Sequence, residues 1–173
     1  MKHRPAALAL LTLLLPLTNA RAVDAALREL VAKKVAADYP SLDAFYKDLH
    51  THPELSLMEE KTSAKVAAEL RAAGFDVTEK FGGYGVVAVM KNGAGATVLI
   101  RSDLDALPVQ EETGLPYAST THVTDLTGHD VPAMQACGHD IHMSCLVGTA
   151  RTLAALRDRW SGTLVLIGQP AEE

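Results

Sequence analysis

The 173 residues carry 48% hydrophobic and 21% charged side chains, which fits a globular chain of one ordinary domain and excludes a disordered one. The formal charge is −5, and no basic stripe exists to displace counterions from a phosphate backbone, so nucleic-acid binding is excluded as a function class. Two cysteines, Cys137 and Cys145, are too few for a disulfide scaffold.

Residues 1–22 differ from the rest. Lys2 and Arg4 precede an apolar run from Ala6 to Leu17 broken only by Thr12, and Ala20-Arg21-Ala22 offers a small-x-small cleavage site. That order is expected of a secretory signal peptide, and implies export to the periplasm or beyond without a lasting membrane anchor. The alternative is an uncleaved anchor, but the run falls short of the ~20 residues that a bilayer span takes. Without this segment, 13 basic and 21 acidic side chains remain, a formal charge of −8. Acidity of that kind mainly means solubility.

Residues 23–173 alternate in pattern. Asp24 is expected to cap a helix carrying Leu27, Leu30, Val31 and Val35, with Pro40 ending it. Ser41 can cap a second, whose Leu42, Phe45, Tyr46 and Leu49 follow the spacing of a buried face. Ser56 and Glu59 read as a capping box opening a helix through Val66, Ala67 and Leu70 that stops at Gly74. Short β-prone runs follow at Val77–Phe81, Val86–Met90 and Thr97–Arg101, punctuated by Gly82-Gly83 and by Asn92-Gly93, a hairpin signal. Residues 106–136 read as a long loop, and loops of that length are commonly functional. A helix is expected from about Asp140 to Arg159, with Leu146, Leu153 and Leu156 inward, and then a buried strand at Thr163–Gly168. The alternation predicts an α/β layer with a mixed sheet, its polar clusters gathered beyond strand ends.

The clusters hold the chemistry. Cys137 and His139, separated by Gly138, offer thiolate and imidazole to a divalent transition metal, although so short a pair also arises by chance. Glu172-Glu173 could place one carboxylate on a metal and the other on a proton, or could be solvated loop residues. Asp103 and Asp105 end a strand on one side of its pleat, where an acid could orient a metal-bound imidazole. A plain strand end with an Arg101–Asp103 contact is the alternative. His142 is one helical turn from His139, as a supporting group or a helix partner; His129 is near only in sequence. His50, His52 and His122 have no context that marks them as ligands. A helix after Asp140 would hold Cys137 and Cys145 apart, against a bridge. Neither a nucleophile elbow nor a phosphate-cradling loop is present.

Taken together, His50-Thr51-His52-Pro53-Glu54-Leu55-Ser56, Arg101-Ser102-Asp103-Leu104-Asp105-Ala106-Leu107-Pro108, Glu112-Thr113-Gly114-Leu115-Pro116, Ala136-Cys137-Gly138-His139-Asp140-Ile141-His142 and Gln169-Pro170-Ala171-Glu172-Glu173 resemble the amidohydrolase branch of the aminoacylase/carboxypeptidase metallopeptidases. Hippurate hydrolases, N-acyl-amino acid hydrolases and auxin-conjugate hydrolases form that branch. The motifs keep the family's order and cover nearly all of residues 41–173.

The resemblance implies a zinc-exopeptidase-like mixed sheet flanked by helices. It implies Cys137, His139 and Glu173 as metal ligands, Glu172 as general base, and Asp103 as the acid orienting a ligand. Two divalent ions (Zn, Mn, Co or Ni) ~3.5–4 Å apart would share a water that attacks the amide of a small N-acyl amino acid. Gln135 stands where the family usually has His. The family also supplies two more His ligands downstream and a smaller lid and dimerisation domain, which homodimeric relatives use. No His follows His142 here, so the chain is expected to be an N-terminal part of such an enzyme, one that alone binds metal poorly and turns over little or nothing. A non-catalytic exported metal-binding module, or an inactive copy, is the alternative.

Overall fold

The computed structural model describes residues 24–173; the signal-peptide expectation for residues 1–22 lies outside them. Asp24 does cap the first helix, its carboxylate accepting from the Ala26 amide at 3.1 Å. That helix, α1, runs as one piece from Ala25–Thr51, through Pro40. The expected break there is corrected. Proline removes one ladder bond and disfavours the preceding turn, yet Leu42, Phe45 and Leu49 lie beyond it and are partly or wholly buried. Packing of that half against α3 (His139–Ala155) outweighs the local penalty. The half before Pro40 has little to pack on, and Leu30 and Val35 stay exposed.

The second helix, α2, spans Glu60–Ala72, and Gly74 follows with φ 89°, the left-handed turn that suits glycine. Ser56 is not its cap. The Glu54 carboxylate accepts from the amides of Lys61 (3.2 Å) and Thr62 (2.7 Å) instead. Ser56 and Glu59 are drawn away to the site described below.

Four strands form one mixed sheet: β1 Asp76–Phe81, β2 Gly85–Asn92, β3 Thr97–Asp103 and β6 Gly162–Gln169, in the order β1-β2-β6-β3. The hairpin falls at the glycine turn at 82–83, between β1 and β2. Asn92-Gly93 does not make one, because β6 inserts between β2 and β3, antiparallel to the first and parallel to the second. The Asn92 amide instead donates to the carbonyls of Arg157 and Trp160, both at 2.7 Å. The long loop contains a small antiparallel pair, β4 His122–Thr124 and β5 Asp130–Pro132, which periodicity does not announce. The strand that leads to Glu173 is interior, not an edge.

All three helices contribute to one core. Val66, Ala67 and Leu70 of α2, Met143, Leu146 and Ala150 of α3 and Leu49 of α1 meet Val86, Ala88, Met90, Leu164 and Leu166 on one sheet face. Burying such side chains contributes about 25 cal/mol per Å² of apolar surface, which makes this core the main source of stability. Among the described residues no helix is long and apolar enough to cross a membrane.

Candidate metal centre

β3 and β6 run parallel, so their carboxyl ends emerge side by side, with Asp103 opposite Gln169 and the Leu104 amide bonded to the Gln169 carbonyl at 2.9 Å. The amino end of α3 arrives at the same place. Gly138 precedes it in the left-handed region (φ 83°), which lets the chain turn sharply between Cys137 and His139. Three stretches far apart in sequence thus deliver their polar residues to one spot.

There, donor atoms of Cys137, His139 and Glu173 all lie within 4.8 Å of one another. His139 is buried at 2% exposure, and its two ring nitrogens have different surroundings. Nδ1 lies 2.8 Å from the Asp105 carbonyl oxygen, which can only accept, so Nδ1 carries the proton. Nε2 is the nitrogen left facing the site, 3.9 Å from Glu172 Oε2 and 4.0 Å from Glu173 Oε1, both beyond hydrogen-bond distance. An imidazole with its far nitrogen tied to a carbonyl and its near nitrogen facing carboxylates is oriented as a metal ligand has to be. The donor set of thiol, imidazole and carboxylate suits zinc and its neighbours rather than calcium or magnesium.

Asp105 is the fully buried residue at the centre. Its Oδ2 accepts from Ser56 Oγ (2.5 Å) and from the Glu172 and Glu173 amides (3.0 Å each), and its Oδ1 is 3.5 Å from His139 Nδ1. Burial works against its charge, but those donors outweigh burial and hold the carboxyl below its usual range. The Cys137 thiol is pushed up, first by the Glu173 carboxylate beside it, then by burial and the charges of Glu173, Glu172 and Asp103. A cation among these groups would reverse that effect, since it stabilises thiolate and carboxylates together.

The Nδ1 of His139 is held by the main-chain carbonyl of Asp105, two residues beyond Asp103. Asp103 accepts from Arg101 at 3.2 Å, the plain strand-end contact, while its other oxygen is buried without a protein partner. It nevertheless lies with His139 and His142 in a second group whose donor atoms fall within 4.8 Å, and His142 packs 5.8 Å from the His139 ring. Gln135 is buried at 4% exposure with neither amide atom bonded. His129 and His122 lie on the exposed hairpin, bonded to Thr127 and Asp130. Cys137 and Cys145 are both free and exposed.

Two residues gain a place that spacing alone gave no hint of. Glu59 is fully buried, and its Oε1 accepts from Leu57 (2.9 Å) and Ala171 (2.7 Å). His50, buried at the end of α1, binds Asp140 at 2.6 Å and Glu111 at 3.1 Å. The only sequence signal for either was membership of a motif, with nothing to say which partner it takes.

Residues 99–173 match Peptidase family M20/M25/M40. The chain is 40% identical over 132 residues to an N-acetylcysteine deacetylase of Bacillus subtilis, covering 73% of this chain and 32% of that protein. It is 40% identical over 126 residues to a hippurate hydrolase of Campylobacter jejuni, covering 72% of this chain and 30% of the relative. Among solved structures, the Bacillus subtilis YXEP protein, a dinuclear metal-binding peptidase of the M20 family, superposes with a TM-score of 0.69 at 37% identity, over 79% of this chain and 36% of that one. The chain therefore spans about a third of the length of the relatives it matches. Residues 99–173 are thus similar to Peptidase family M20/M25/M40, and over a longer stretch the chain is similar to an N-acetylcysteine deacetylase and a hippurate hydrolase.

Proposed function

We propose that this chain provides the metal-holding and proton-transferring part of an amidohydrolase that cleaves N-acyl amino acids or related small amides. The observation that carries the reading is the meeting of Cys137, His139 and Glu173 within 4.8 Å, with the outer nitrogen of His139 already committed to a carbonyl. Cys137, His139 and Glu173 would hold an ion. A divalent ion bound there supplies Lewis-acid polarisation of water and of the amide carbonyl. Glu172 keeps its carboxylate 39% exposed and close to His139, placed to take a proton from a water and return it to the leaving amine. Asp105 keeps the His139 ring in the ligand tautomer. Asp103 and His142 border the same spot and suit a supporting role. The other features of the reading are export through residues 1–22, a second ion, and homodimerisation of the complete enzyme.

The described donors at this spot are fewer than a pair of ions calls for, so the 173 residues alone are expected to turn over little. Cobalt titration provides the first test: a thiolate-to-cobalt absorption band should form, vanish in Cys137→Ser and persist in Glu172→Gln. In whatever length of polypeptide hydrolyses hippurate, Glu172→Gln should lower kcat by about 10²–10⁴ with bound metal unchanged. Activity that survives this substitution defeats the general-base assignment. Metal binding without turnover at any length leaves a binding module in place of an enzyme.

A further inference from the structure

β6 ends at Gln169, and Pro170 has no N–H to offer. The next three amides, of Ala171, Glu172 and Glu173, have left the sheet and still need acceptors. Ordinary strand ends find them in water or in a neighbouring carbonyl. Here all three go to two buried carboxylates from distant places: Ala171 to Glu59 Oε1 at 2.7 Å, and Glu172 and Glu173 to Asp105 Oδ2 at 3.0 Å each. Both carboxylates are fully buried, Glu59 just ahead of α2 and Asp105 just after β3. Ser56 Oγ adds a further bond to Asp105 at 2.5 Å.

This is a costly way to satisfy three amides. It brings two buried negative groups beside two more glutamates and leaves Glu59 Oε2 and Asp105 Oδ1 without a hydrogen-bond partner. It also keeps Ala171 at φ 51° and Leu57 at φ 65°, the left-handed region that a residue with a Cβ disfavours, with the amides of both on the same Glu59 oxygen. Asp105 meanwhile lends its main-chain carbonyl to His139 Nδ1. One residue therefore fixes the ring that offers Nε2 and the backbone of the two glutamates that face it.

We propose that Glu59 and Asp105, the latter braced by Ser56, are positioning residues that set the backbone of residues 171–173 and so the aim of Glu172 and Glu173 toward His139. The inference rests on the functional reading above and adds the source of its geometry. Neither residue touches the reacting atoms. Each acts through the three amides it holds.

The test uses the isotopically labelled 173-residue chain, with Co²⁺ alone as probe. Asp105→Asn keeps the shape and removes the charge. Amide exchange at Glu172 and Glu173 should quicken by about tenfold as those bonds weaken. Co²⁺ affinity should fall about 10–100-fold, as for other groups that orient ligands, while the Cys137 band is kept at saturation. Glu59→Gln should do the same at Ala171. Ser56→Ala, which loses only a hydroxyl, should weaken Co²⁺ binding about threefold or more while the chain still unfolds in one cooperative transition; it carries the test if Asp105→Asn does not fold. Variants that bind Co²⁺ as tightly as the parent overturn the positioning role alone, even if exchange has risen. A parent with no thiolate band overturns the metal reading and this inference with it.

Discussion

His139 and His50 are both buried imidazoles, yet they are held in opposite ways. His139 gives one nitrogen to a neutral carbonyl, and its other has no acceptor within hydrogen-bond distance, with Glu172 and Glu173 at 3.9 and 4.0 Å. His50 has both nitrogens on carboxylates, Asp140 at 2.6 Å and Glu111 at 3.1 Å. Carboxylates only accept, so both His50 nitrogens carry protons and no lone pair remains for a metal. The two rings are joined through adjacent residues, since Asp140 follows His139 in α3. What separates a ligand from a strut here is the acceptor on the second nitrogen, and burial does not distinguish them.

That contrast predicts a double dissociation. His139→Ala should lower Co²⁺ affinity by more than about 100-fold, exceeding the loss expected for a residue that only orients a ligand. His50→Gln should leave Co²⁺ affinity within about threefold, because its ring contacts Asp140 and Glu111 and neither is in the donor set. If the two variants lose affinity equally, the distinction between the rings fails.

Stability should respond the other way round. Removing His50 leaves Asp140 and Glu111 buried beside each other without their shared cation. Breaking a buried pair in this manner costs about 3–5 kcal/mol, a large share of the 5–15 kcal/mol that holds a typical domain together. Urea unfolding should show His50→Ala shifted by that amount and His139→Ala by about 1 kcal/mol, the value of one neutral hydrogen bond. Equal shifts would make His139 as structural as His50.

The contrast between these rings marks the limit of what sequence could reveal. Local signals were legible: the Asp24 cap, the stop at Gly74, the break at Gly82-Gly83 and each strand of the main sheet are where short-range chemistry puts them. Cys137, His139 and Glu173 were legible too, through the order of motifs, and the parallel pairing of β3 with β6 brings them together. What failed was everything decided by a remote partner. Pro40 reads as a stop until the packing of residues 42–49 on α3 is known. Asn92-Gly93 reads as a hairpin until β6 inserts. Ser56 and Glu59 have capping-box spacing, but their side chains answer to Asp105 and Ala171, 49 and 112 residues away. Asp103 and Asp105 share one side of a strand pattern, and nothing local says which meets the histidine.

The smallest effect, and the finest test of the contrast, is in pH. Burial works against a charged His50, but its bonds to Asp140 and Glu111 outweigh burial and raise its proton affinity above the ordinary histidine range. A group whose folded value is raised stabilises fully below its unfolded value, about 6.5 for histidine, and loses that contribution as pH rises through the folded value. Glu111 behaves as the mirror case. Burial opposes its charge, while Thr113, the Ser119 amide and His50 pull its carboxyl down, so its contribution is lost only as pH falls through that lowered value. The rings packed on His50 are those of Tyr46 and Tyr117, and the Tyr46 phenol is pushed up to about 12, by burial first and then by Tyr117, so Tyr46 stays neutral throughout the window. The unfolding free energies of the parent and His50→Gln should therefore differ most near pH 6 and converge toward pH 9. A difference that stays constant over that range would mean that His50 is neutral in the folded chain, and that one of its two carboxylate partners carries the proton instead.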